Sequence, residues 1–161
     1  MKKVSLVLIL FSTVLFSCSK TEHGGNPVKP TEFDLVFGDF YGMCAGDCFD
    51  VYGLNRTSLH EDITAERYMG QYSFKPTHLR EREMLDSVRH LLLEIPNELL
   101  TTNKSVFGSP DSHDQGGIYL EFNHGRHNSK SLTLDHDDTP DQSTEVKRFK
   151  LKLREALNKL R

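Results

Sequence analysis

Near the end of the chain Val146, Phe149, Leu153, Ala156, Leu157 and Leu160 recur at spacings of three, four, three, one and three. That pattern predicts a helix with one apolar stripe. Lys147, Arg148, Lys150, Lys152, Arg154, Lys159 and Arg161 crowd the remaining positions. A basic amphipathic helix can lie on anionic lipid, but a regular stripe about one face wide is what packing on a core requires. Thr139-Pro140-Asp141-Gln142 reads as its start: a cap, a proline at the first helical position and a capping-box residue three on. Such a stripe has to be buried against another layer, so this helix alone commits the chain to a layered fold.

A second helix is expected over residues 76–95, with Thr77 as the N-cap. Leu85, Val88, Leu92 and Ile95 form its stripe, widened by Leu91, and Pro96 ends it. Strands are expected at residues 33–37, 48–54 and 66–74, with Gly53 marking an irregularity in the second. Two more are expected around Ile118, Leu120 and Phe122 and over residues 130–135, joined by a hairpin connection at residues 124–128. The order β-β-β-α-β-β-α with short links predicts an α+β fold. Its expected form is a two-layer sandwich, one antiparallel five-stranded sheet with both helices on one face.

The chain has 161 residues. Its first seventeen, MKKVSLVLILFSTVLFS, join a short basic start to thirteen mostly apolar positions. A membrane-spanning helix needs about 20 apolar residues, so this run reads as the core of a secretory signal. Leu15-Phe16-Ser17-Cys18 resembles the lipobox of bacterial lipoproteins. The resemblance implies removal of residues 1–17 and a lipidated Cys18 bearing diacylglyceryl and N-acyl (palmitate-like) chains. Two or more acyl chains anchor a protein stably. Residues 18–32, CSKTEHGGNPVKPTE, lack apolar periodicity and read as a flexible tether to a single domain at residues 33–161. No aspartate follows Cys18, which favours the outer membrane over retention at the inner one. The expected location is therefore the cell envelope, with the face of the membrane left open.

Without Lys2 and Lys3 the mature chain has 18 basic against 23 acidic residues, net −5. Residues 145–161 hold seven basic and two acidic residues, so residues 18–144 are net −10. An acidic body with a basic tail does not fit a nucleic-acid partner. It fits a cationic partner, cations, or another envelope protein.

Lipidation of Cys18 leaves Cys44 and Cys48 as an even pair. An oxidising envelope favours a structural disulfide between them, and Gly46 permits the turn that brings them together. A redox pair usually has two residues between its cysteines and electropositive surroundings. A zinc site needs further converging ligands. Asp111, His113 and Asp114, with His124 and His127, are the candidate metal ligands, although Asx turns in a glycine-rich loop explain the first group better. No cofactor motif is present. Residues 37–48, FGDFYGMCAGDC, and 108–119, GSPDSHDQGGIY, together resemble segments of small uncharacterised envelope lipoproteins of Bacteroidota. These carry a Cys-x-Gly-x-Cys turn and a later Pro-Asp-x-x-Asp-x-Gly-Gly loop. The resemblance implies that the two turns define one fold, and it implies no activity. The expectation is a lipid-anchored, non-enzymatic binding or assembly module. The alternative is a metal-assisted hydrolase built on the Asp111/His113/Asp114 loop and the hairpin histidines.

Overall fold

The computed structural model describes residues 32–42, 48–65, 72–112 and 114–161. The leader, Cys18, most of the tether, Cys44, residues 66–71 of the expected third strand and His113 lie outside the described residues. Among those described, the fold is α+β. One mixed sheet of seven strands has the order β4-β3-β2-β1-β6-β7-β5. The strands are β1 (Phe33–Phe40), β2 (Phe49–Leu54), β3 (Leu59–Glu61), β4 (His78–Leu79), β5 (Val106–Phe107), β6 (Gly117–His124) and β7 (Lys130–Leu134). The helices are α1 (Arg82–Val88), which runs on into a 3-10 turn at Arg89–Leu93, then α2 (Asn97–Thr101) and α3 (Thr144–Leu160).

The sheet thus has seven strands rather than five, and it is not purely antiparallel, because β5 pairs parallel to β7. The missed strands β3, β4 and β5 are two or three residues long. Elements that short carry no readable period. Tyr72–Phe74, the described end of the expected third strand, is not in the sheet.

The central strand β1 sets the layers. Phe37 pairs with Tyr52 on β2 and with Leu120 on β6. On one face Leu35, Phe37, Tyr52, Leu54, Leu120, Phe122, Leu132 and Leu134 meet the helices through Leu85, Val88, Leu91, Leu99, Val146, Phe149, Leu153 and Leu157. Each fully buried side chain of this size contributes roughly 1.5–3 kcal/mol. The opposite face is also covered. Phe33, Val36, Phe40, Phe49, Val51 and Tyr119 pack under Phe74, with Tyr72 and Ala65 at the margin. Gly53 exists for this contact: a Cβ there would sit 2.4 Å from the Phe74 ring. Asp62 pins the covering segment by accepting from the Tyr72 hydroxyl at 2.8 Å, the Lys75 amide at 2.9 Å and both Thr64 groups.

Both expected helix starts move. Thr77 is not a cap; its hydroxyl donates to the Glu61 carbonyl and accepts from the Ile63 amide, which sets β4 beside β3. The stripe then breaks where α1 tightens into the 3-10 turn. That change of period buries Leu91 and leaves Leu93 91% exposed. At the other helix the N-cap is Ser143, whose hydroxyl accepts from the Val146 amide. Thr139, Asp141 and Gln142 instead form a hydrogen-bonded turn before it. The C-terminus of α3 is latched to the sheet side of the molecule: the Leu160 carbonyl accepts from Arg80 at 2.9 Å and from the Tyr52 hydroxyl at 3.4 Å.

Candidate functional site

Three segments converge at the Phe40 end of β1. They are the β1–β2 hairpin at Tyr41 and Gly42, the loop at residues 108–116, and the link from β7 to α3 at residues 135–143. The loop is shaped by unusual backbone. Gly108 and Gly116 have φ of 78° and 74°, and Asp111 and Asp114 have φ of 69° and 58°. Aspartate is one of the few residues that tolerates this left-handed region. The loop closes on itself through Asp111 N to Gly116 O at 2.8 Å. It also seats on the hairpin. A Cβ at Gly42 would lie 2.0 Å from Asp111 Oδ1, and one at Gly116 would lie 1.7 Å from the Phe40 carbonyl oxygen. Gly42 and Phe40 of the hairpin are therefore in direct contact with Asp111 and Gly116 of the loop.

Asp135 ties the loop to the link. Its Oδ2 accepts from the Ser109 amide at 2.8 Å, and its Oδ1 accepts from the Asp137 amide at 2.9 Å and the Gln115 side chain at 3.2 Å. Asp141 accepts from the Gly108 amide and the Thr139 hydroxyl. Those two bonds, the hydroxyl first, hold its carboxyl below the usual carboxylate range. Between these segments opens a cleft of about 500 Å³, lined by Ser109, Ser112, Gln115, Asp135, Asp137 and Asp141 among others. Lys150, on α3, supports the link from beneath. Only 1% of it is exposed, and its Nζ donates to the carbonyls of Asp135 and Asp137 and to Gln142 Oε1 at 3.2, 2.6 and 2.8 Å.

A second polar group lies at the same end, under α3. Asp39 is 5% exposed, and its Oδ2 receives Arg161 at 2.8 Å. Arg161 also donates to Asp50 at 2.7 Å. Burial pushes the Asp39 carboxyl up, against the pull of His136 and Arg161. Burial pushes His136 down, against the pull of Asp39. Its ring stacks on Tyr41, with centroids 6.1 Å apart. Asp39 Oδ1, Asp111 Oδ1 and both ring nitrogens of His136 are buried without a hydrogen-bond partner among the described residues. Buried titratable groups with displaced pKa values and unmet hydrogen bonds mark this end as the functional candidate.

The His136 shift fixes a pH dependence. A folded-state pKa below the unfolded value of about 6.5 means that the unfolded chain binds the proton more readily. The stability contributed by neutral His136 is complete above that pH and is lost as pH falls through the folded pKa. Asp39, with a raised folded-state pKa, runs the other way: its contribution is complete below the unfolded value and is lost as pH rises. Between pH 7 and pH 5 the histidine trend is expected to lower the urea midpoint, and His136→Gln flattens that fall. Equal slopes for the two proteins would contradict the burial argument.

The expected metal ligands do not form one centre. Asp111 and Asp114 lie at the loop end, whereas His124 closes β6 at its far end. Eight strand residues place these ends roughly 24 Å apart, and His127 is exposed on the hairpin beyond. His124 Nδ1 sits 3.0 Å from Glu121 Oε1 and its ring packs on Phe74. Ser129 donates to the same Glu121 oxygen at 2.6 Å. Serine and histidine thus share a carboxylate and do not bond in series, as a nucleophile and its base would. Among the described residues no three His, Cys, Asp or Glu side chains are placed to hold a metal ion.

Cys48 is disulfide-bonded. Its carbonyl accepts from the Tyr41 amide at 3.0 Å. No helix among the described residues is long and apolar enough to cross a membrane. The chain matches no family model, no curated protein and no solved structure.

Proposed function

We propose that this chain is a lipid-anchored, non-enzymatic binding module of the bacterial envelope, held on the outer membrane through Cys18, whose loop-end cleft receives a cationic partner. The cleft carries this reading. Asp135, Asp137 and Asp141 line it beside hydroxyl and amide groups, on a body that is net −10 over residues 18–144. Asp135 and Asp141 are occupied in shaping the walls, which leaves Asp137 as the exposed carboxylate for a ligand ammonium or guanidinium group. The tether joins the domain at Phe33, and β1 carries the chain roughly 24 Å to the cleft end. The partner therefore meets the domain on the side away from the anchor. Closure of the hairpin by a Cys44–Cys48 disulfide belongs to the same reading. It would hold Tyr41 and Gly42 in place against the loop.

The test is titration of the mature protein with a lysine- and arginine-rich peptide at low salt. Binding is expected, with the Asp137→Lys variant roughly fivefold weaker, as one partly exposed charge allows. Binding that is absent, or unchanged by Asp137→Lys, would remove the cleft from the account.

A further inference from the structure

A different surface lies at the opposite end of the molecule. Leu92, Leu93 and Ile95, at the end of the 3-10 turn, line a groove of about 450 Å³ with Arg56, Arg89 and Asp34. Leu93 is the most exposed large apolar side chain described, at 91%. Solvating such a residue beside two more apolar side chains is unfavourable. The two arginines differ in their engagement. Arg89 pairs with Asp86 at 3.0 Å, while Arg56 has no carboxylate partner among the described residues. The carboxylate that lines the groove is already held: Arg126 bonds Asp34 at 3.0 Å, and Glu94, between Leu93 and Ile95, pairs with Lys152.

The groove also sits where the chain leaves the domain. Asp34 is the second residue of β1, and fourteen residues separate Cys18 from Phe33. Read from composition as a tether, that length would reach roughly 20 Å end to end. We propose that the apolar groove of Leu92, Leu93 and Ile95, with Arg56 and Arg89, seats on the anionic lipid surface in which Cys18 is anchored. This rests on the lipid-anchor reading. The tether makes the contact intramolecular, so a weak attraction suffices. Each arginine near an anionic leaflet favours the contact by a factor of roughly five. The cleft carboxylates Asp135, Asp137 and Asp141 are repelled by the same surface, so seating this patch turns the cleft outward.

The test uses the mature acylated chain in vesicles of phosphatidylglycerol and phosphatidylethanolamine that carry a lipid-borne quencher. A polarity-sensitive fluorophore is attached at Leu93→Cys, and in a control at Leu151→Cys, which is exposed on α3. Blue-shifted, lipid-quenched emission is expected at position 93 and water-like emission at 151. Arg56→Glu is expected to lower the seated population at least roughly fivefold. If the protein floats with the vesicles but position 93 remains water-like, the anchor stands and the docking is wrong. A blue shift that grows with protein density and is not quenched by lipid would assign the groove to a second copy and also overturn the docking. A chain that does not float removes the anchor, and the docking falls with it.

Discussion

Lys150→Met is expected to destabilise the protein by roughly 3–5 kcal/mol, although the two side chains are close in size. The lysine ammonium lies within a helix face that is otherwise apolar. It bonds the Asp135 and Asp137 carbonyls and Gln142 Oε1, and it reaches Asp138 at 2.9 Å. Methionine fills the volume but donates nothing. Each buried acceptor left alone costs about 1–3 kcal/mol. The damage is also local, because these carbonyls belong to the link that walls the cleft. Urea unfolding is therefore expected to show a large drop in midpoint at unchanged m-value, and cationic peptide binding is expected to weaken in conditions where the variant is still folded. A loss under about 1 kcal/mol would mean that water replaces the ammonium at no great cost.

Much of the frame is legible in the sequence. The alternation of Ile118, Leu120 and Phe122, the hairpin to β7 and the stripe of α3 all appear where their periods place them, because long elements repeat their pattern several times. What is not legible is decided by pairing between distant segments. Val106 and Phe107 make a strand only because β7 offers an edge. Thr77 has the chemistry of a helix cap, but the Glu61 carbonyl and Ile63 amide engage it first. Leu92 satisfies the helical spacing, yet the switch to a tighter turn gives its place in the core to Leu91.

The candidate site was half visible. The loop around Asp111 and Asp114 stands out by composition, and so does the cysteine turn. Their contact through Gly42 and Gly116 is a tertiary fact with no local signature. Asp39 and Lys150 did leave a signal. Asp39 follows Leu35 and Phe37 at the strand period, and Lys150 follows Val146 by four in the helix stripe. A charged residue at a core-facing position is costly unless paired, and both positions are indeed bonded. The hairpin histidines misled because they share a residue type with the loop cluster, while the length of β6 separates the two groups.

The whole functional account depends on Cys18, and its replacement has the largest effect expected. Acyl chains contribute about 0.8 kcal/mol for each buried methylene, and two or more anchor a protein stably. Cys18→Ser leaves no thiol for the thioether. It is expected to abolish palmitate incorporation and to leave the leader uncut at residue 17. The seating of Leu93 on lipid would go with the anchor. The folded domain, whose core begins at Phe33, is expected to keep its unfolding midpoint. Intact mass and N-terminal sequencing of the protein purified from its own membranes address this most directly. The account predicts a chain that begins at Cys18 and carries the added mass of a diacylglyceryl and an acyl group. A chain that keeps its first seventeen residues, or starts elsewhere with a free thiol at position 18, would contradict it.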